Sequence, residues 1–194
     1  IARAADDLAA ILYTSGTTGR SKGAMLTHKA LASNAQTLAK VWHFTSNDRL
    51  IHALPIFHTH GLFVAINVTL SAGSSMYLLP KFDAEKILDL FSDSTVLMGV
   101  PTFYVRLLKN EQLNQDKVSN MRLFISILER YGMTETNMNT SNPYVGERRP
   151  GTVGRPLPDV EVKITDPDTG ETLPVDGIGH IQVRGPNVFS GYWK

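Results

Sequence analysis

Hydrophobic and polar positions along the chain alternate between a strand-like and a helix-like period. Asp7 to Thr14 (DLAAILYT) is a short apolar run ending in Gly, Ser and Thr, which predicts a buried strand feeding a loop. A second short strand is expected at Gly23 to Leu26. Thr27 then stands where an N-cap belongs, ahead of Leu31, Ala35, Leu38 and Trp42, whose spacings place them on one helical face. The pattern repeats with a strand at Arg49 to Leu54, a loop PIFHTHG, a helix from Leu62 to Leu70 and a strand at Ser75 to Leu79. Asp83 caps a helix with Ile87, Leu88 and Phe91 facing inward. A strand at Thr95 to Val100 is closed by Pro101, and Thr102 is placed to cap a helix carrying Phe103, Leu107 and Leu108. RLFIS, Arg122 to Ser126, adds one more strand.

From Pro143 onward the helical period stops, and Pro150, Pro156, Pro158, Pro167, Pro174 and Pro186 arrive among many glycines. VEVKI, Val160 to Ile164, and HIQV, His180 to Val183, alternate in and out around the turn-rich DPDTGE, which predicts antiparallel strands. The fold expected is α/β: parallel or mixed β-sheets flanked by helices over residues 1–142, and a smaller antiparallel β subdomain over residues 143–194. In such sheets ligands gather outside the carboxyl ends of the strands, so the loops after strands are where chemistry is expected.

Composition narrows the function classes. Nineteen Lys and Arg face eighteen Asp and Glu, a net charge of +1, so no summed field exists to hold a nucleic-acid backbone or an anionic membrane. There is no cysteine, which removes disulfides, thiolate nucleophiles and Cys-ligated metals and fits a reducing, cytoplasmic compartment. The longest apolar stretch, Gly61 to Leu70, is broken by Asn67 and Thr69 and is far below the roughly 18 residues of a membrane span. No signal peptide opens the chain.

The densest candidate is YTSGTTGRSKG, Tyr13 to Gly23, directly after a strand. Its glycines free backbone amides to turn toward a ligand, its hydroxyls add donors, and Arg20 and Lys22 add charge, a combination suited to a phosphate chain. It is not the Walker loop G-x-x-x-x-G-K-S/T, since Gly16 and Gly19 are three apart and Lys22 leads into a strand rather than a helix. ERYGMTET, Glu129 to Thr136, offers a carboxylate for a hard cation and an aromatic face for a base. PIFHTHGL brings His58 and His60, with no carboxylate cluster near them in sequence, so a buried structural histidine is a better reading than a metal ligand. TVLMGVPTFYVRLL places Arg106 early in the helix after a strand, where a guanidinium suits a carboxylate held bidentately, although taken alone an ordinary surface arginine is the better reading.

YTSGTTGRSKG resembles the phosphate-loop signature of the adenylate-forming superfamily, which includes acyl-CoA synthetases; Ser21 stands where many members carry proline. YGMTET is similar to that superfamily's nucleotide segment. The resemblance implies that Thr14, Ser15, Gly16, Thr17, Thr18, Gly19, Arg20 and Lys22 grip the phosphates of ATP. It implies that Tyr131, Gly132 and Met133 meet the nucleotide, with Tyr131 against adenine, that Thr134 contacts the α-phosphate, and that Glu135 holds Mg²⁺. PIFHTHGL, the Arg106 segment and ERYGMTETNMNTSNP together closely resemble malonyl-CoA synthetases, which implies His58 on the acyl side and Arg106 on the distal carboxylate of malonate. Implied activity is ligation of a carboxylic acid, malonate foremost, to coenzyme A through an acyl-adenylate. PGTVGRPLPDVEVKITD and GHIQVRGPNVFSGYWK resemble superfamily segments too, and turns account for their glycines and prolines. By the same resemblance the chain is a core fragment of the large N-terminal domain of such an enzyme. The resemblance also implies that a glycine-rich segment and a helix are missing between Ser126 and the Y-G-x-T-E motif, and that the C-terminal lid with its lysine is not among these residues.

Overall fold

The computed structural model describes residues 2–14, 21–126 and 130–193. Its centre is a four-stranded sheet of order β4-β3-β5-β6, with β3 (Arg49–His52), β4 (Ser75–Leu78), β5 (Val96–Gly99) and β6 (Leu123–Ser126) all parallel. The inner strands β3 and β5 are buried almost throughout, as strands covered on both faces should be, whereas β4 is exposed at Ser75 and Leu78 and β6 at Phe124. The pleat divides those residues between two layers. Leu50, Val96, Met98, Leu123 and Ile125 pack with Leu38, Trp42, Val64 and Val68 on one side. Ile51 and Leu97 meet Ile87, Leu88, Phe91 and Leu107 on the other.

Helix α1 (His28–Val41) begins as expected, with the Thr27 hydroxyl accepting from the Ala30 amide. Its buried face is Ala30, Asn34, Ala35 and Leu38, continued by Trp42; Leu31 is only half-buried. Asp83 likewise caps α3 (Ala84–Leu90) by accepting from the Lys86 amide. Two expectations shift. The helix expected from Leu62 starts earlier, as a wide π-helical turn over His60–Ile66 that runs into α2 (Asn67–Ser71). Gly61 allows this, since a Cβ there would run into the Pro55 carbonyl. The second is α4 (Pro101–Leu108), which starts at Pro101 with Val100 at the N-cap and no side-chain cap bond. Proline at the first helical position replaces the expected Thr102 cap, because its fixed φ suits that position and its missing N–H would be unpaired there anyway.

Strand β1 (Leu8–Thr14) pairs antiparallel with β2 (Lys22–Thr27), outside the parallel sheet. A parallel pair needs a crossover of a dozen or more residues, which the short link between them cannot supply. β1 is also not the buried strand expected: Leu8, Ile11 and Tyr13 are exposed on this edge strand. On the other side of β2 lies β13 (Tyr192–Trp193), so the last residues of the chain close this sheet.

After β6 come four two-residue strands, β7 (Gly132–Met133), β8 (Asn137–Met138), β9 (Thr140–Ser141) and β10 (Arg155–Pro156), which form the antiparallel pairs β7–β8 and β9–β10. The expected antiparallel pair is present as β11 (Glu161–Thr165) and β12 (His180–Arg184), with Val162 opposite Val183 and Ile164 opposite Ile181. In the turn-rich DPDTGE, Asp166 accepts from the amides of Asp168 and Thr169. Leu157 and Val160 sink into the same core as Trp42 and Leu50. Below the sheet, at the amino ends of its strands, the Arg122 guanidinium grips Asp48 through two bonds of 2.7 Å, and Thr95 donates a third of 2.7 Å.

Candidate functional site

The loop PIFHTHG leaves the carboxyl end of β3, α4 leaves that of β5, and the YGMTET segment follows β6, so three of the motifs converge on one edge of the parallel sheet. Between the first and the third lies a cleft of about 270 Å³, lined by His58, Thr59, His60, Gly132, Met133, Thr134, Asn137 and Met138. Residues some seventy positions apart thus share one wall. A hollow of about 430 Å³ beside α4, lined by Phe91, Tyr104, Leu107, Leu108 and Phe124 among others, is almost wholly apolar and holds none of the expected phosphate-binding groups.

The hairpin β7–β8 presents Thr134 and Glu135 at its tip, both half-buried. Gly132 is required here by close approach, because a Cβ would collide with the Asn137 carbonyl across the hairpin. Asn137 closes the turn at φ +51°, a conformation asparagine tolerates better than most residues. Three anchors outside the hairpin set its position. Asn34 of α1 donates to the Met138 carbonyl at 2.7 Å and accepts from the Met138 amide. Arg130 donates to the Ser126 carbonyl at the end of β6 and lies 4.7 Å from the Trp42 ring. Buried Asn187 donates to the Thr136 carbonyl at 2.6 Å and to Asn139 Oδ1 at 2.9 Å. Tyr131 is held by its own amide, which donates to Thr140 Oγ1, and its hydroxyl is pushed up by burial and by the Glu135 carboxylate.

Glu135 carries the clearest tie between motifs. Its Oε1 accepts from the Tyr192 hydroxyl at 2.7 Å, and its backbone carbonyl accepts from the Phe189 amide at 2.8 Å. The Lys22 ammonium sits 5.3 Å from the centroid of the same Tyr192 ring. Thr14 and Lys22 face each other across the mouth of the β1–β2 hairpin. The expected phosphate-binding residues Ser15, Gly16, Thr17, Thr18, Gly19 and Arg20 lie outside the described residues. Sequence reasoning gave the GPNVFSGYWK segment only turns, yet Asn187, Phe189 and Tyr192 hold the hairpin and its carboxylate. The one available signal was three aromatics and an asparagine in a stretch without helical period.

The two histidines of the loop differ. His58 is exposed and its ring lies 4.5 Å from that of Phe57. His60 is buried, and burial, with Arg130 and His52 nearby, pushes its pKa down to about 4, so it is neutral at neutral pH. Neither ring nitrogen of His60 has a hydrogen-bond partner among the described residues, and the same holds for both polar atoms of the Asn137 amide. The polar wall of the cleft therefore has unspent hydrogen-bonding capacity.

Arg106 stands apart from this wall. Because α4 is short and ends at Leu108, Arg106 falls in its last turn rather than its first, exposed, with its guanidinium 4.6 Å from the Phe82 ring. No described carboxylate pairs with it. Among the described residues no three His, Asp or Glu side chains cluster as a metal cage. One carboxylate such as that of Glu135 does fit Mg²⁺, which takes one or two protein carboxylates and completes its octahedron with phosphate and water oxygens. No helix among the described residues is long and apolar enough to cross a membrane.

The ATP-bound crystal structure of MatB from Rhodopseudomonas palustris superposes with a TM-score of 0.96 at 61% identity, over 100% of this chain and 42% of that one. A malonyl-CoA ligase ternary product complex with methylmalonyl-CoA and AMP gives 0.86 at 38% identity, over 97% and 46%. A malonate–CoA ligase of Arabidopsis thaliana is 37% identical over 229 aligned positions, 97% of this chain and 37% of that protein. The chain thus spans about two fifths of the length of these proteins. The AMP-binding enzyme pattern matches residues 2–127 and 119–193, which takes in both the Lys22 hairpin and the Glu135 hairpin that meet on Tyr192. With nearly the whole chain so matched, it belongs to the AMP-binding enzyme family.

Proposed function

We propose that this chain is the nucleotide- and acyl-binding core of an ATP-dependent carboxylate–CoA ligase that activates malonate. The observation that carries this reading is the meeting of Thr134 with the histidine loop at one cleft, while the adjoining Glu135 is tied through Tyr192 to Lys22 at the exit of the glycine-rich loop. In the first half-reaction a carboxylate oxygen of the acid attacks the α-phosphorus, the bond to the β-phosphate breaks, and pyrophosphate leaves with the electron pair. In the second, the thiol of coenzyme A attacks the acyl carbon and AMP leaves. Negative charge builds on phosphate oxygens in the first step, so preplaced donors and cations are the catalytic resource. Lys22, with the residues from Thr14 to Arg20, would bind the leaving pyrophosphate, and Thr134 would donate to the α-phosphate. Tyr131, Gly132 and Met133 would border the nucleotide. Glu135 would supply one carboxylate to Mg²⁺, which when bound neutralises phosphate charge.

His58 would face the acid. Arg106, a cation without a described carboxylate partner, is the proposed holder of the second carboxylate of malonate. The division between residues 1–142 and 143–194 is proposed as one of architecture, since Leu157 and Val160 share the core of the α/β part. An internal segment absent near residues 126–127 is supported by two observations. The family pattern matches in two stretches that meet at 119–127, and the Arabidopsis relative aligns over 229 positions although this chain has 194 residues. The proposed compartment is the cytoplasm, supported by the cysteine-free sequence.

Isothermal titration with Mg·ATP, followed by pyrophosphate exchange with malonate, acetate and a long-chain acid, tests the reading. Mg·ATP binding and exchange favouring malonate are expected, and Arg106→Ala should abolish that preference. A folded chain that binds no Mg·ATP refutes the nucleotide reading, and a malonate preference that survives Arg106→Ala refutes the role of the arginine.

A further inference from the structure

We infer that Tyr192 is a positioning residue that serves both halves of the phosphate site, orienting the Glu135 carboxylate with its hydroxyl and the Lys22 ammonium with its ring. This rests on the reading of Glu135 as a ligand of Mg²⁺ given above. Three observations carry it. The hydroxyl donates to Glu135 Oε1 at 2.7 Å, which leaves Oε2 without a described hydrogen bond and open to a cation. The ring face lies 5.3 Å from Lys22 Nζ, within the range of a cation–π contact. The backbone under the tyrosine is fixed independently of both: Tyr192 pairs with Ala24 in β2, the Met25 amide donates to the Gly191 carbonyl, and the Ser190 amide donates to the Met25 carbonyl.

The geometry has a physical consequence. A glutamate at the tip of a two-residue-strand hairpin has three side-chain torsions to order before it can ligate, and a lysine at a strand end has four. Phe189, whose ring meets that of Tyr192 at 4.9 Å and 71°, braces the tyrosine from the side. One braced aromatic thus restrains two flexible charged groups of opposite sign at a fixed mutual distance, so that a phosphate oxygen and a cation can be met together. A tyrosine hydroxyl aimed at a carboxylate 57 positions earlier has no packing role that phenylalanine could not fill.

The test separates hydroxyl from ring. Tyr192→Phe keeps the faces that Lys22 and Phe189 touch and removes only the bond to Glu135. ATP binding is measured by calorimetry on the whole chain across a Mg²⁺ series and again in chelator. The half-saturating Mg²⁺ concentration is expected to rise about three- to tenfold in Tyr192→Phe, in keeping with loss of one charge-assisted hydrogen bond at an exposed site. Affinity for metal-free ATP should stay within about twofold of the parent. The double variant Tyr192→Phe/Glu135→Gln should be no worse than Glu135→Gln alone, because the hydroxyl acts through that carboxylate. Should Tyr192→Phe melt early, the same Mg²⁺ series at a temperature where both proteins are folded carries the test.

An unchanged or lowered Mg²⁺ requirement in Tyr192→Phe, or an additive double variant, overturns the positioning role while leaving Glu135 as a ligand. A Mg²⁺ requirement unmoved by Glu135→Gln overturns the reading of Glu135 itself and the proposal with it.

Discussion

Asn187→Ala offers the sharpest check on how the site is held. The Asn187 amide is 1% exposed and donates to the Thr136 carbonyl at 2.6 Å and to Asn139 Oδ1 at 2.9 Å, with a longer bond of 3.4 Å to the Met138 carbonyl. Truncation leaves the Thr136 carbonyl without this donor in a buried setting. Asn139 keeps its Nδ2 bond to Thr136 Oγ1 at 2.7 Å and Met138 keeps Asn34, but the buried Asn139 Oδ1 loses its donor along with the Thr136 carbonyl; the Asn187 Oδ1, which has no partner among the described residues, goes with the side chain, so the net loss is about one acceptor. An unsatisfied buried acceptor costs about 1–3 kcal/mol, and a small cavity adds to it, giving about 2–4 kcal/mol in all. For a chain of this size that is a fall in Tm on the order of 5–15 °C. Thr136 adjoins Glu135, so the hairpin tip should loosen as well, and Mg·ATP affinity should fall more than stability alone requires. Thermal melting by circular dichroism and calorimetric titration at a temperature where both proteins are folded measure the two effects. A variant that melts within about 1 °C of the parent and binds Mg·ATP equally well would refute the claim that this amide holds the hairpin.

Other outcomes follow from the same geometry. His60 is depressed from 6.5 to about 4 by burial, so the unfolded chain takes up the proton first as pH falls; stability is full above about pH 6.5 and is lost as pH drops toward 4. Between pH 7 and pH 5 this amounts to about 2 kcal/mol, and His60→Gln should flatten that part of the Tm-against-pH curve. Asp48 feels burial most, which raises it, but bonds from Arg122, Thr95 and the Thr45 amide together outweigh burial and hold its pKa below the ordinary carboxylate value. Its contribution is therefore present above about pH 4 and lost below, and Asp48→Ala, which strands a partly buried Arg122, should cost about 3 kcal/mol in chemical denaturation at pH 7. Gly132→Ala must move the Asn137 carbonyl aside, at a cost of about 1–3 kcal/mol, and should weaken Mg·ATP binding while the parallel sheet, followed by far-ultraviolet circular dichroism, stays intact.

How much of this was legible in the sequence depends on the range of the interaction. Thr27 and Asp83 cap their helices as expected, because a cap is a contact between residues three apart. The strands of the parallel sheet were expected at β3 to β6 and lie there, because a short run rich in apolar residues between turns is a local signal. Arg106 lies near the far end of its helix because α4 stops at Leu108, two residues later, and the chain carries no sharp stop signal there. β1 looked buried because its residues are apolar, and nothing in its own period says whether a neighbour covers it.

The sequence by itself therefore determined the α/β class, the order of elements, the helix caps and the two motifs that mark a nucleotide-binding family, since all of these reside in short stretches of chain. Only the tertiary structure decided which groups meet. Asn34 grips the Met138 backbone across 104 positions, Tyr192 reaches Glu135 across 57, and His60 rather than His58 is enclosed and held neutral. Such contacts depend on how helix α1, the hairpin and the last strand pack on the sheet, and packing of distant segments leaves no period in the chain that forms it.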